Sequence, residues 1–197
     1  MTQELFFALI AFCAVGLFTP GPNNMMLMTS GANFGLRRTL PHLFGVNIGF
    51  AGMVLPVGLG VMQVFEIWPI THTILKFISV AYLLYLAWKI ANAGAPSAVG
   101  GGARPLSFLQ ACAFQWVNPK AWSMILGALT LYAPGRDLGA IFWVAGVYAA
   151  VGFFSSLSWT TLGVNMRRIL TNPAHLRIFN WTMAALLLAS MGPVLWQ

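Results

Sequence analysis

Two prolines in three residues, set inside an apolar run, constrain this chain more than any other feature. The stretch Thr19-Pro20-Gly21-Pro22-Asn23-Asn24 interrupts a hydrophobic segment that begins at Leu5 and resumes at Met25. Proline has no N–H and crowds the carbonyl four residues upstream, so the carbonyls of Gly16 and Phe18 are expected to be freed. What that costs depends on the solvent. The chain is 59% hydrophobic and 7% charged, with a mean hydropathy of +0.80, whereas a soluble domain carries about 25% charged residues. The solvent is therefore lipid, and a broken helix persists there only where protein or a wet cavity receives the freed groups. Asn23 and Asn24 supply amide donors and acceptors directly after the break. A second break, Asn118-Pro119-Lys120, again lies inside an apolar run, and Gln115 is the residue whose carbonyl Pro119 frees. Paired interruptions in corresponding parts of two halves are the best sequence pointer to a transporter's midplane site.

Six segments are long enough to span a bilayer, which takes about 20 apolar residues in helix. They run from about Leu5 to Met28, Pro41 to Gln63, Ile70 to Ile90, Leu106 to Tyr132, Leu138 to Val164 and Ile178 to Trp196. Arg37 and Arg38 mark a short polar loop after the first, while Glu66, Trp68 and Pro69 punctuate the turn before the third. Gly45 and Gly49 have the spacing that lets helix backbones approach closely, and Ser155, Ser156 and Ser158 offer small packing surface. The glycine-rich stretch Asn92 to Pro105 is the one linker. The N-terminal Met1-Thr2-Gln3-Glu4 lacks the positive region of a signal peptide and is expected to lead into a retained first helix. Basic residues gather in cytoplasmic loops. Arg37, Arg38, Lys89, Arg104, Arg167, Arg168 and Arg177 follow odd-numbered spans, against Arg136 and Lys76 opposite, which predicts both termini outside the cytoplasm.

A shift of 99 residues lays Cys13-Ala14 on Cys112-Ala113, Pro20 on Pro119, the second span on the fifth and the third largely on the sixth. With three spans each, the halves have opposite orientations, the inverted-repeat plan in which Pro20 and Pro119 face each other near midplane. The expected fold is thus all-α: one transmembrane domain of six helices in two inverted three-helix repeats, about 4–91 and 106–197, with the first and fourth helices broken at prolines.

The remaining chemistry is sparse. Glu4, Glu66 and Asp137 are the only acids, all near span ends, and His42, His72 and His175 stand near the ends of different spans without ligand spacing. Those histidines are expected to be interfacial or capping residues, and neither a metal site, a cofactor nor a catalytic constellation is expected. The scattered basic residues are no nucleic-acid footprint. Lys120 differs, because a cation inside a span costs roughly 2.5–3.5 kcal/mol. It either snorkels or pairs with a substrate carboxylate, and the freed carbonyls with Asn23, Asn24 and Asn118 suit an ammonium group. Alternatively, those amides merely repair the broken backbone. Cys13 and Cys112 sit two helical turns before their prolines, as small buried hydrophobes or, in a rival reading, as the dithiol of a membrane electron carrier.

Phe18 to Asn24, followed by Gly35, Arg37, Arg38, Gly45 and Gly49, resembles the opening of the LysE/RhtB family of amino-acid exporters, and Asn118-Pro119-Lys120-Ala121 resembles that family's second signature. Ala87 to Ala91 and Ser107 to Gln115 look most like the cysteine and O-acetylserine exporter branch. The resemblance implies an inner-membrane exporter, a proton-driven antiporter of small neutral amino acids or derivatives, with another small metabolite as the alternative cargo. It implies a transport core comprising Pro20, Gly21, Pro22, Asn23, Asn118, Pro119 and Lys120, to which the residue chemistry adds Thr19, Asn24 and Gln115. Its partners are the substrate, protons and the bilayer, with a homodimer as one option and no nucleic acid. Some family members carry an ionisable residue where Phe50 stands here, which leaves the proton carrier open.

Overall fold

A computed structural model describes residues 2–93, 104–135 and 137–190. Most of the expected linker 92–105, Arg136 of the expected turn, and the end of the sixth span at Trp196 lie outside these residues. The described chain forms nine α-helices: α1 (Gln3–Phe18), α2 (Pro22–Phe34), α3 (Leu36–Pro56), α4 (Met62–Ile67), α5 (Ile70–Ala91), α6 (Phe108–Val117), α7 (Pro119–Tyr132), α8 (Leu138–Met166) and α9 (Pro173–Ala189). Side chains such as Leu109, Val15 and Phe77 remain 74%, 72% and 70% exposed, as suits walls turned toward lipid.

Three helical segments are long and apolar enough to cross a membrane: Leu36–Val61, Ile70–Ala91 and Leu138–Met166. A fourth counts if α1 and α2, bent by 57° at their junction, form one span. Among the described residues this is fewer than the six expected, for two physical reasons. The 10-residue α6 and 14-residue α7 meet at Asn118, and neither alone reaches about 20 residues. The last helix, α9, is described for only 17 residues.

The polar loop expected at Arg37 and Arg38 is instead the first turn of α3. Gly35 makes the whole connection from α2 with φ of 77°, a conformation open to glycine without steric cost. The second span therefore begins at Leu36 and carries Pro41 within it. Similarly, α9 starts at Pro173, earlier than Ile178, so Arg177 is helical. At its far end α3 widens into a π-type turn over Val57–Val61, where Gly60 takes φ of 111°.

Glycines set the closest approaches. A Cβ on Gly163 would collide with the backbone of Met28, and one on Gly31 with that of Thr160, so α2 and α8 touch main chain to main chain. Gly45 and Gly49 do the same for α3 over Phe108, Ala111 and Cys112 of α6, as their spacing predicts. Two apolar clusters result. One gathers Leu27, Leu43, Leu83, Phe114 and Leu187; the other gathers Leu9, Met53, Ile125, Ile141 and Tyr148.

Candidate functional site

At the first break α1 ends because residue 20 has no N–H to continue it. Thr19 closes the helix, its N–H donating to the Val15 carbonyl at 3.1 Å and its hydroxyl to the same oxygen at 2.5 Å. Pro22 restarts the chain as the first residue of α2, where a missing donor costs nothing. At the second break the Asn118 N–H bonds the Gln115 carbonyl at 3.2 Å, and its side-chain oxygen caps α7 by accepting from the Lys120 N–H at 3.2 Å. Pro119 is the first residue of α7.

The two breaks meet. Asn23 donates from Nδ2 to Oε1 of Gln115 at 2.8 Å, and Gln115 returns a bond from Nε2 to Oδ1 of Asn23 at 3.1 Å. Gln115 is wholly buried and also reaches the Ala111 carbonyl at 2.9 Å. Lys120 crosses in the other direction, its Nζ donating to the Thr19 carbonyl at 2.6 Å and more weakly to that of Pro20 at 3.4 Å. Gly21 makes room for this, since a Cβ there would stand 2.7 Å from Cδ of Lys120. The half-buried lysine is thus turned toward the first break. It holds the carbonyl end of the first break.

Asn24 spans the gap in α1, its Nδ2 donating to the carbonyls of Leu17 at 2.8 Å and Thr19 at 2.9 Å. Those bonds repair the broken backbone. The carbonyls engaged are Leu17, Thr19 and Pro20, and not the expected Gly16 and Phe18. Bending by 57° separates the whole last turn from its donors, and not only the oxygens opposite the prolines.

All ten expected residues, Thr19 to Asn24, Gln115 and Asn118 to Lys120, gather at this junction. Sequence reasoning missed several neighbours. Ser155 of α8, expected only as packing surface, donates to the Leu17 carbonyl at 2.8 Å. Asn47 of α3 donates to the Ala149 carbonyl at 3.1 Å, and Tyr148 to that of Met124 at 2.7 Å, with its ring 4.9 Å from that of Phe50. A buried serine or tyrosine hydroxyl in an apolar span was the available signal, because it must find an acceptor. Two small cavities flank the junction, each about 20 Å³ and each touching Leu17, Asn23, Asn24 and Phe50. One extends to Asn118 and Lys120, the other to Asn47, Ser155 and Ser156. Each has room for about one water.

The cysteines are free and have separate partners. Cys13 is buried in the cluster around Tyr148, whereas Cys112 donates to the Gly45 carbonyl at 3.2 Å. His72 and His175 lie exposed in the first turns of α5 and α9. His42 departs from expectation. It is 2% exposed inside α3, neither interfacial nor capping, because α3 starts earlier and carries it inward.

A helical protein with lipid-facing apolar walls and a polar centre knitted from two broken helix ends is a multi-pass membrane protein of the transporter class. The sequence matches the LysE type translocator family over residues 14–195. The chain belongs to that family, which makes it a transporter and not an enzyme. Among its relatives is a cysteine/O-acetylserine efflux protein of Klebsiella pneumoniae, 30% identical over 189 residues and 95% of each chain. Proteins of the same name from Escherichia coli K12 and Shigella flexneri are 32% identical, over 86% of this chain and 87% of theirs. No solved structure matches.

Proposed function

We propose that this protein is a secondary active exporter of small neutral amino acids or their derivatives, of the cysteine and O-acetylserine type, working across the bacterial inner membrane against a flow of protons. The observation that carries the reading is the 2.6 Å bond from the Lys120 ammonium to the Thr19 carbonyl. A zwitterion brings an anion for the ammonium and a cation for the carbonyl. Its carboxylate takes Lys120 from Thr19, and its ammonium takes the oxygen that Lys120 releases. Partners are exchanged, and no charged or polar group is left bare in a low-dielectric centre. The neighbouring cavities, about 20 Å³ each, are smaller than an amino acid, so the two broken ends must part for cargo to enter.

In this reading the chain has six spans in two inverted repeats, with α1–α2 and α6–α7 each crossing as one broken helix. The packing supports it. Under the 99-residue shift the pair α3 and α6 becomes α8 and α1, and α5 with α9 becomes itself; all three pairs are in contact. The reading takes the face carrying most of the basic residues as cytoplasmic, which would leave both termini in the periplasm. Membrane potential does no work on a neutral zwitterion, whereas each coupled charge adds about 2.3 kcal/mol per 100 mV, so uphill export requires a counter-ion.

Proteoliposomes loaded with labelled O-acetyl-L-serine or L-cysteine test the reading. Efflux accelerated by an imposed proton gradient and lost in Lys120→Met is the expected result. Efflux equal to that of protein-free vesicles across a panel of neutral amino acids would sink it. A reporter fused after Gln197 should be active outside the cytoplasm and one inserted near Gly101 inside; the reverse would refute the orientation.

A further inference from the structure

Buried polar side chains in lipid are satisfied unless something else is meant to meet them. Among the described residues only three buried side-chain polar atoms have no hydrogen-bond partner: Oγ1 of Thr29 and both ring nitrogens of His42. These two residues are 3% and 2% exposed. They line the same cavity of about 60 Å³, walled by Leu86 and Leu106 and bordered by half-buried Lys89 and exposed Arg104. The neighbouring hydroxyls are spoken for, since Ser30 and Thr39 bond each other at 3.0 Å. The cavity lies toward the Gly35 end of the molecule, where Arg167 also approaches, further along α2 from the junction residues Asn23 and Asn24.

We propose that this cavity is a second binding site, for the carboxylate of a small amino acid. Lys89 and Arg104 supply the positive potential, while Thr29 and one His42 N–H donate to the carboxylate oxygens. A neutral imidazole keeps a bare acceptor on its other nitrogen, which points away across the ring and is left to a water. An α-amino acid adds a side chain to that carboxylate, whereas acetate adds almost none. The leucines take a short side chain. A volume of about 60 Å³ holds roughly four waters, about the bulk of an amino-acid headgroup. The site's place in transport rests on the exporter reading: with the basic face cytoplasmic, it captures cargo before the junction does.

The test is nitrogen-15 NMR of histidine-labelled protein in nanodiscs, with His42 assigned by loss of its signal in His42→Gln or by elimination using His72→Gln and His175→Gln. O-Acetyl-L-serine and acetate should each move the His42 signals saturably, with O-acetyl-L-serine binding more tightly, while O-acetyl-L-serine methyl ester should not. Lys89→Met should weaken the response at least tenfold and Thr29→Val several-fold, whereas Lys120→Met should leave it unchanged. His42 signals indifferent to both acids, or equally responsive to the ester, would overturn the site and leave a merely hydrated cavity. Efflux on the same preparation decides the transport reading separately: saturable His42 binding without efflux keeps the site and removes the exporter.

Discussion

The two ends of α2 treat buried polar groups in opposite ways. At its start, Asn23 and Asn24 are bonded to Gln115, Leu17 and Thr19, and no buried side-chain polar atom is left over. Toward its end, Asn33 is paired with Asn180 at 2.9 Å, yet Thr29, one turn earlier, and His42 across on α3 have no partner. The first region is a closed network, which in the proposed function opens to admit cargo. The second is an open one that awaits a ligand. Stability and binding should therefore respond with different signs in the two places.

The largest contrast should come from Lys120→Met. Leaving one partner of a buried charge pair alone costs about 3–5 kcal/mol, so substrate affinity at the junction should fall at least a hundredfold in normally folded protein, with the His42 response unchanged. Unchanged affinity in the purified variant would show that Lys120 only braces the break. Next is Gln115→Leu, which removes two bonds between the breaks and strands the Asn23 amide; unfolding in mixed micelles should show a loss of about 1–3 kcal/mol. Ser155→Ala should cost about 0.6 kcal/mol, an average interhelical bond in a membrane, because Asn24 still covers the Leu17 carbonyl. His42→Leu reverses the sign. Replacing an unpaired buried polar group with an apolar one of similar size forfeits no bond, so stability without ligand should be unchanged or raised. A loss of more than about 1 kcal/mol there would mean that His42 is already satisfied and would erase the contrast.

Local chemistry made part of this legible in the sequence. Pro20, Pro22 and Pro119 declare helix ends because they lack a donor, whereas the cap that Asn118 makes on α7 was not read from the sequence. Gly45 and Gly49 declare a close helix contact by their spacing, though not that α6 is the partner. What stayed hidden depends on residues far apart in the chain. Ser155 finds the Leu17 carbonyl only because α8 crosses α1, and that crossing has no local signature. His42 was misjudged through its assumed distance from a span end: one glycine, Gly35, makes the entire turn, and α3 gains a turn before Pro41. The target of Lys120 was hidden for a similar reason, since only the bend decides which carbonyls it meets.

The backbone contact at Gly31 and Gly163 bears on how the chain is made. The polar face of α2, with Asn23, Thr29, Ser30 and Asn33, is covered by α6, α8 and α9, all synthesised after the linker. Until residues 106–197 follow, Asn23 and Asn33 lack the side-chain partners, Gln115 and Asn180, that receive them in the folded chain. A chain halted there is a substrate for quality-control proteases, and its lifetime should lengthen sharply when residues 106–197 are co-expressed as a separate polypeptide. Biogenesis thus waits on the second half, and the rate at which residues 138–166 emerge and insert sets how long the first half stays exposed.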